Sequence, residues 1–351
     1  MQNKKMGVAI IGYGGIARYH HTKWLKKLSD EFEFCGVYDI RPEKMKNAEA
    51  DGVPTYQSEA ELLADKRVEL VIVATPNDMH LPISLRAMKA GKGVICEKPV
   101  ALNSDELEQM IECSKENGVV FTVNQNRRWD RDYITMKHAI TSGVLGDVNR
   151  IESRVYGSRG IPGDWRKEKA HGGGMVLDWG VHLIDQALMF DESKKLRSLY
   201  CKLDCVYGGE CDDGFSVTLD FEGGLEYVCE VKTCNFIALP RWYAAGNSGS
   251  LIINDWDCNG EIVAKLKEEK DVLPIRASSG MTKTMAPRGE ESISHFPLDI
   301  IEPDLAEYYL NVKAAIRGQE HQLITHDQLR RSTSVMEKMF VSANENKVIF
   351  F

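Results

Sequence analysis

The chain has 351 residues, a formal net charge of −8 and 43% hydrophobic residues. Its length allows two domains with separate cores, and its composition is typical of a globular protein. Because an acidic surface repels polyanions, the charge argues against nucleic acids and anionic membranes as partners. No apolar stretch of the sequence approaches the roughly 20 residues of a membrane span, so we expect a cytoplasmic protein.

Residues 6–124 alternate regularly between strand and helix patterns. The predicted strands are GVAIIGYG, FEFCGVYD, VELVIVATP, GVICEKP and VVFTVNQN. The predicted helices are IARYHHTKWLKKL, RPEKMKNAEA, EAELLAD, MHLPISLRAMKAG and SDELEQMIECSKENG, the last capped by Ser104 and Gly118. Short connections between strands and helices predict an α/β fold with a Rossmann-like, doubly wound parallel sheet. We assign residues 1–124 to this first domain.

The pattern changes from about residue 125. A helix (RDYITMKHAITSG), a strand (VNRIESRVYGS), a glycine-rich loop and a second helix (VLDWGVHLIDQALM) follow one another. Residues 196–263 then alternate with period two, which predicts an open, mainly antiparallel sheet. A weakly patterned region, 264–299, precedes a helical section at 303–346. We assign 125–351 to a second, α+β domain, whose last helices could pack back on the first domain.

Nine cysteines are spread through the chain without a CxxC pair. The densest cluster, formed by Cys201, Cys205 and Cys211, lacks the paired spacing of a zinc site. We therefore expect reduced thiols and no bound metal.

The segment GYGGIA has the spacing G-x-G-x-x-A between the first strand and the first helix. Glycines at such a turn let backbone N–H groups approach a pyrophosphate, and the helix amino terminus stabilises its charge. We expect a dinucleotide to contact Gly12, Tyr13, Gly14, Gly15 and Ile16.

The second predicted strand ends in Asp39. An acid at this position accepts hydrogen bonds from the ribose hydroxyls and disfavours a 2′-phosphate. Arg41, two residues later, could instead pair with that phosphate. The sequence favours NAD, with NADP as the alternative.

Loops at the carboxyl ends of parallel strands line the ligand crevice of a doubly wound sheet. The third strand ends in ATPNDMH, so we expect Thr75, Pro76 and Asn77 to contact the cofactor. His80 is assigned to the same group, although a histidine at a helix start is more often structural.

The fourth strand ends in Glu97, Lys98 and Pro99. The proline keeps the Lys98 backbone out of helical dihedral angles and so restrains where its side chain points. We expect Glu97 to face the cofactor in a structural role, and Lys98 to enter the crevice.

The segment GGGMVLDWGVHLID carries a further constellation. Asp178 and His182 are four residues apart, so they share a helix face, and Asp185 continues that face one turn later. The triple glycine 172–174 allows another group to approach the helix start closely. An aspartate–histidine pair on a helix is more often structural than catalytic, and both interpretations stay open at this point.

The glycine turn, the strand-end EKP, the segment NRRW (126–129) and GGGMVLDWGVHLID occur in this order. Together they resemble the glucose–fructose oxidoreductase/inositol dehydrogenase (Gfo/Idh/MocA) family, most clearly over residues 6–190. The resemblance implies an amino-terminal Rossmann domain that binds NAD or NADP. It also implies a carboxyl-terminal domain whose open sheet forms the interface of a homo-oligomer, a dimer or a tetramer.

The resemblance also implies roles for particular residues. Lys98, Asp178 and His182 match the catalytic set that faces the nicotinamide. The NRRW segment is similar to scyllo-inositol dehydrogenase-like members, so Asn126 and Arg127 are expected to contact the substrate. Trp165 and Arg166, in GDWRKE, are expected to line the same pocket.

The chemistry of these residues suits hydride removal from a secondary alcohol, which requires removal of the hydroxyl proton. His182 is the natural acid or base, Asp178 could orient its ring, and Lys98 could stabilise negative charge on the oxygen. The expected substrate is a free sugar or cyclitol; the alternative is a glycoside oxidised at a ring hydroxyl, such as C3, before cleavage. A non-catalytic, dinucleotide-dependent regulator is the third hypothesis, and it predicts loss of one of these three residues.

Overall fold

The computed structural model describes residues 4–267, 275–276, 280, 282–283 and 287–351. Five parallel strands form the first sheet: β1 (Met6–Ile11), β2 (Phe32–Tyr38), β3 (Val68–Val73), β4 (Gly93–Cys96) and β5 (Phe121–Val123). Their order is β2-β1-β3-β4-β5. Strand β2 is added on one side of β1 and strands β3 to β5 on the other, so the strand order reverses between β1 and β3. All residues of β1 and β4 are buried, as expected for strands covered by helices on both faces. This agrees with the predicted doubly wound sheet.

The helices of this part connect successive strands. They are α1 (Thr22–Lys27), α2 (Pro42–Ala50), α3 (Glu59–Ala64), α4 (His80–Lys89) and α5 (Ser104–Glu116). A π-helical turn, Ala17–His21, precedes α1. The prediction that Ser104 caps α5 is wrong, because the cap is Asn103, whose side chain accepts a hydrogen bond from the Glu106 N–H at 2.9 Å.

The second sheet is larger and mixed. Its strands are β6 (Val148–Tyr156), β7 (Leu196–Asp204), β8 (Gly214–Phe221), β9 (Glu226–Lys232), β10 (Trp242–Gly246), β11 (Gly249–Ile253), β12 (Gly260–Lys265), β15 (Ile293–Pro297) and β16 (Ile349–Phe350). A separate pair, β13 (Ile275–Arg276) and β14 (Thr282–Lys283), lies outside it. The order is β15-β12-β11-β10-β6-β9-β8-β7-β16. Only β6 and β9 pair in parallel, among the strands of this sheet, so the predicted antiparallel character holds.

Four further helices lie in the second part of the chain. They are α6 (Arg131–Thr141), α7 (Val181–Phe190), α8 (Ala306–Ile316) and α9 (His326–Glu345). A π-helical turn, Val176–Gly180, leads directly into α7. No helix in the described part of the chain is long and apolar enough to cross a membrane.

Each sheet has its own hydrophobic core, and the last two helices touch the first of them. Tyr308, Tyr309 and Val312 of α8 belong to the core of the parallel sheet. Helix α9 contributes Leu329 to that core, whereas its later residues Val335 and Met339 belong to the core of the mixed sheet. The carboxyl-terminal helices therefore tie the two sheets together and hold the cleft between them.

Candidate active site

A cavity of about 670 Å³ lies where the carboxyl ends of the parallel strands face the second sheet. Residues that the sequence predicted for the cofactor and for the substrate line it together. From the predicted set these are Ile16, Thr75, Asn77, Glu97, Lys98, Asn126, Arg127, Trp165, Arg166, Asp178 and His182. The cavity thus joins motifs from both halves of the chain.

Lys98 links the two domains across this cavity. It follows β4 directly, and the Lys98–Pro99 peptide bond is cis. The Lys98 ammonium donates hydrogen bonds to the Asp178 backbone carbonyl at 2.9 Å and to the Asp178 Oδ1 at 3.0 Å. Because an ammonium has three N–H donors, one remains for an oxygen atom of a bound molecule.

Asp178 lies between two cations. Its Oδ1 contacts Lys98, and its Oδ2 accepts a hydrogen bond from the Arg166 Nε at 3.1 Å. Burial alone would raise the pKa of this carboxyl, but the charges of Lys98 and Arg166, with their hydrogen bonds, outweigh it and lower the pKa. Asp178 is therefore ionised near neutral pH, where it accepts hydrogen bonds and is a poor proton donor.

His182 is buried in the wall of the cavity, with 4% of its surface exposed. Burial, followed by the charges of Lys98 and Arg127, lowers its pKa well below 6.5, so the imidazole is neutral at pH 7. A neutral imidazole can accept a proton from a hydroxyl group.

The expectation that Asp178 orients the His182 ring is wrong. Both Asp178 oxygens bind cations, and the buried His182 Nδ1 has no hydrogen-bond partner among the described residues. The ring instead lies edge-on to Trp179, with 6.0 Å between ring centroids. Asp178 lies in the π-helical turn, where the helical repeat is wider than four residues, and His182 lies in the first turn of α7. Their spacing of four residues therefore does not bring the two side chains together.

Asp185 does not continue the face of the cavity, contrary to the sequence-based expectation. Its carboxylate forms two hydrogen bonds of 2.7 Å with the Arg128 guanidinium. The side chains of Arg128 and Asp185 are 10% and 4% exposed, so this ion pair is nearly dry. Asp185 and Arg128 therefore join α7 to the 126–129 segment, whose residues Asn126 and Arg127 line the cavity.

This buried pair makes a prediction about stability. Asp185→Ala is expected to lower the free energy of unfolding by about 3 to 5 kcal/mol, because it leaves Arg128 charged and unpaired. The matched control is Glu59→Ala, which breaks the more exposed Arg86–Glu59 pair and should cost less than about 1 kcal/mol. Urea unfolding measures both values, and equal losses would contradict a structural role specific to Asp185.

Sequence reasoning missed several residues of the cavity. Tyr156 and Lys232 enter it from the carboxyl ends of β6 and β9, where they are partners in the register of the parallel pair. No local pattern indicates that these two strands are neighbours. Trp179 also lines the cavity, and its place between Asp178 and His182 in the helix motif was a signal that could have identified it.

Arg127 enters the cavity with its head group held by neighbours. The guanidinium lies 4.2 Å from the Trp179 ring centroid and 5.4 Å from that of Trp256. It also donates a hydrogen bond to the Asp130 Oδ2 at 2.9 Å. Such stacking and pairing restrict a flexible side chain, so Arg127 presents a preorganised cation to the cavity.

The glycine turn fits a dinucleotide. Gly12 has a φ of +96°, and a Cβ there would lie 2.4 Å from the Ala74 carbonyl oxygen, so the fold itself requires this glycine. Gly14 and Gly15 differ, because a Cβ at either would meet nothing within 4 Å. The chain's own packing does not explain these two glycines, and the open space beside them can admit a pyrophosphate.

Asp39 supports this turn from the next strand. Its Oδ2 accepts a hydrogen bond from the Tyr13 backbone N–H at 2.7 Å, and its Oδ1 from the Arg41 backbone N–H at 2.9 Å. The Arg41 Nε lies 3.3 Å from the same Oδ1. A second cavity of about 450 Å³, lined by Gly12, Asp39, Arg41, Thr75 and Pro76 among others, shares Thr75 with the first.

The side chains of three residues assigned to the cofactor form hydrogen bonds within the protein instead. The Tyr13 ring is buried, and its hydroxyl donates a hydrogen bond to Asp51. His80 is fully buried, with its ring nitrogens 2.8 Å and 3.0 Å from the backbone oxygens of Pro99 and Thr75, so its ring does not line either cavity. The Asn77 amide donates a hydrogen bond to the Gly172 carbonyl, although Asn77 also lines the cleft.

The glycine turn yields a binding prediction. Gly14→Val is expected to raise the Kd for NAD(P) about tenfold or more, because the side chain would fill the space that a pyrophosphate needs. Thermal unfolding should stay within about 2 °C of the parent, since no protein atom is displaced. Gly163→Val, also at a glycine facing open space, is the control. Unchanged cofactor affinity in Gly14→Val would show that the turn does not bind the dinucleotide.

The weakly patterned region 264–299 contains β15 and the separate pair of β13 and β14. None of its described residues lines the cavity, and β15 lies at the far edge of the mixed sheet. Residues 268–274, 277–279, 281 and 284–286 of this region lie outside the described residues.

A doubly wound sheet with a dinucleotide turn, facing a second domain that completes a lysine–aspartate–histidine cleft, defines the class of two-domain NAD(P)-dependent oxidoreductases. The family model described as "Oxidoreductase family, NAD-binding Rossmann fold" matches residues 6–125, and that of the "GFO/IDH/MocA C-terminal domain" matches residues 133–252. The chain therefore belongs to the Gfo/Idh/MocA oxidoreductase family.

Similar proteins support this assignment. A solved NAD-binding protein from Listeria innocua is 40% identical, with a TM-score of 0.93 over 99% of this chain and 100% of that one. The scyllo-inositol 2-dehydrogenase (NADP⁺) of Bacillus subtilis is 27% identical over 97% of this chain and 95% of its own. The D-glucoside 3-dehydrogenase of Escherichia coli is 31% identical over 54% of each. Two uncharacterized oxidoreductases of Schizosaccharomyces pombe are 36% identical over 51% of this chain, which spans about half of their length.

Proposed function

We propose that this protein transfers hydride between a secondary alcohol of a sugar or cyclitol and NAD or NADP. The observation that carries the proposal is the convergence of Lys98, Asp178 and His182 in one cavity beside the glycine turn. Polar and aromatic groups, Asn126, Arg127 and Trp165 among them, form the other walls, which suits a polyhydroxylated ring.

Each of the three residues has a distinct role. The bound nicotinamide supplies the hydride acceptor or donor. In the oxidation direction, His182 accepts the hydroxyl proton because its imidazole is neutral in the cavity. Lys98 donates its remaining N–H to the same oxygen and stabilises the negative charge that develops there. Asp178 stays ionised, holds Lys98 in place and accepts a hydrogen bond from a second substrate hydroxyl.

Two features bear on the choice between NAD and NADP. Asp39 lies at the end of β2, where a carboxylate favours the free ribose of NAD. Both of its oxygens already accept hydrogen bonds, however, and Arg41 neutralises part of its charge. The Bacillus subtilis relative named above carries NADP⁺ in its name. We propose NAD as the cofactor, with NADP as the alternative that the ratio of kcat/KM values decides.

A substrate panel tests the proposal. Inositols, hexoses, anhydrosugars and glycosides are each incubated with NAD and with NADP, and the absorbance of the reduced cofactor is followed. We expect turnover of at least one polyhydroxylated ring, abolished in Lys98→Met assayed beside it. Absence of turnover with every ring and both cofactors would exclude the proposed substrate class.

A second candidate is oxidation of a ring hydroxyl in an intact glycoside. The cavity continues from the three reacting residues to Tyr156, Lys232 and the loop at 157–164, which leaves room beyond one ring. The similarity to a D-glucoside 3-dehydrogenase points the same way. Preference for methyl or aryl glycosides over free rings in the same panel would favour this candidate.

We further propose a cytoplasmic homo-oligomer that assembles through the open face of the mixed sheet. On that face, β6 and β9 carry alternating charges, with ion pairs of Arg150 with Glu226 and of Arg154 with Glu230. A face that carries both signs can pair with its own copy about a two-fold axis. All nine cysteines are free, which suits a reducing compartment. Light scattering should give the mass of a dimer or tetramer, and a monomer at all concentrations would contradict the proposal.

A further inference from the structure

A chain of buried polar side chains lies beneath Glu97 at the end of β4. The His21 Nε2 is 2.8 Å from the Glu97 Oε1, and the His21 Nδ1 is 2.8 Å from the Tyr309 hydroxyl. His21, Glu97 and Tyr309 are 0%, 4% and 1% exposed. They come from the π-helical turn before α1, from the residue that follows β4 and from α8, and the proposed reaction uses none of them directly.

The hydrogen bonds show which of these side chains donates a proton to which. The buried Tyr309 hydroxyl has no acceptor other than His21 among the described residues, and an unpaired buried hydroxyl proton is costly. Tyr309 therefore donates to the His21 Nδ1, which leaves the proton of a neutral ring on Nε2. His21 then donates through Nε2 to the Glu97 Oε1.

Glu97 also receives hydrogen bonds from two other donors. The Asn124 amide donates to the same Oε1 at 2.6 Å, and the Lys98 backbone N–H donates to Oε2 at 3.2 Å. Burial raises the pKa of such a carboxyl, but the contacts with His21, Asn124 and Lys98 outweigh it and lower the pKa. Glu97 is thus a buried, ionised carboxylate whose Oε1 is fully engaged.

This carboxylate lines the cavity together with Thr75 and Asn77, which were expected to contact the cofactor. Lys98 and His182, from the set expected to face the nicotinamide, line the same cavity. An oxidised nicotinamide ring carries a positive charge, whereas the reduced ring is neutral. A fixed negative charge at low dielectric distinguishes these two states much more strongly than it would in water.

We propose that His21, Tyr309 and Asn124 are positioning residues that hold Glu97 as an ionised carboxylate, and that Glu97 thereby favours binding of the oxidised over the reduced nicotinamide. This inference rests on the proposed dinucleotide site. It assigns a role in cofactor preference to α8, which lies about two hundred residues after the EKP segment in the chain.

The test compares two neighbouring tyrosines. Tyr309→Phe removes the hydroxyl that orients His21, whereas Tyr308→Phe removes an equally buried hydroxyl that donates to the Val123 carbonyl. The Kd values for oxidised and reduced cofactor are measured by fluorescence titration, without substrate. Relative to the parent, the ratio of Kd(oxidised) to Kd(reduced) should rise about threefold in Tyr309→Phe and stay unchanged in Tyr308→Phe.

Glu97→Gln provides an independent variant that leaves the packing of α8 intact. Its Kd ratio should rise about tenfold, because the amide keeps the shape of the side chain and loses its charge. An unchanged ratio in Glu97→Gln, or equal shifts in the two tyrosine variants, would overturn the inference while leaving the dinucleotide site in place. If the parent protein binds neither form of the cofactor, the proposed function itself fails.

Discussion

Replacement of Lys98 by methionine is expected to lower kcat by about three orders of magnitude and to change the Kd for NAD(P) by less than about threefold. Methionine retains the unbranched shape of the side chain and removes the ammonium that contacts Asp178 and that, in the proposed reaction, stabilises charge on the substrate oxygen. The loss falls on kcat because negative charge on that oxygen develops mainly in the transition state. Steady-state kinetics and cofactor titration measure the two effects separately.

Lys92→Met is the matched control. Lys92 lies just before the same strand, at its opposite end, and its ammonium donates to the backbone carbonyls of Asp65 and Val68. The Lys92 change removes a lysine that is more buried than Lys98, yet it should leave kcat unchanged. A near-parental kcat in Lys98→Met, or equal losses in both variants, would exclude Lys98 from the chemistry.

His182→Asn is expected to lower kcat by about two to four orders of magnitude, the usual contribution of a positioned acid or base. The pH dependence gives a sharper test. Because the pKa of His182 is well below 6.5, the neutral ring that accepts the proton predominates at pH 7. The kcat/KM for alcohol oxidation should therefore be lost only in acid, as the pH falls through this lowered pKa, and the variant should lack that acid limb.

The contribution of His182 to the free energy of unfolding should also decrease in acid. A histidine whose pKa is lowered by folding binds fewer protons in the native state, so its contribution to stability falls as the pH drops below 6.5. His326→Gln is the control for the pH profile of kcat/KM. Burial also lowers the His326 pKa, but its ring binds the Phe121 carbonyl away from the cavity, so this variant should keep the acid limb. An acid limb near or above pH 6.5, or one unchanged in His182→Asn, would contradict the assignment of His182.

Local patterns in the sequence were sufficient for the elements of the first domain. The apolar run of β3, the glycine turn before α1 and the proline after Lys98 each act within a few residues of the chain. The placement of Lys98 at a strand end follows from the same local reasoning, because all parallel strands end at one edge of the sheet. Even here a single cap was misplaced, since Asn103 and Ser104 are both good caps and only backbone geometry distinguishes them.

Helix spacing was less reliable for the second motif. The i, i+4 rule assumes a regular α-helix, and the π-helical turn at 176–180 changes the direction of the side chains that follow it. Asp178 consequently pairs with Lys98 and Arg166 instead of His182, and Asp185 pairs with Arg128. Asp178 and His182 line the cavity, but the partners of Asp178 and Asp185 are not those that the helix spacing predicted.

The sequence by itself therefore determined the strands and helices of the first domain, the position of the glycine turn and a set of side chains that meet in one cavity. These properties depend on backbone dihedral angles and on apolar periodicity, which neighbouring residues settle. Only the tertiary structure decided that β6 and β9 pair in parallel, that Lys98 meets Asp178 eighty residues away, and that Tyr309 reaches Glu97 through His21. Such contacts depend on strand order and on the packing of two sheets, and no local pattern in the chain encodes them.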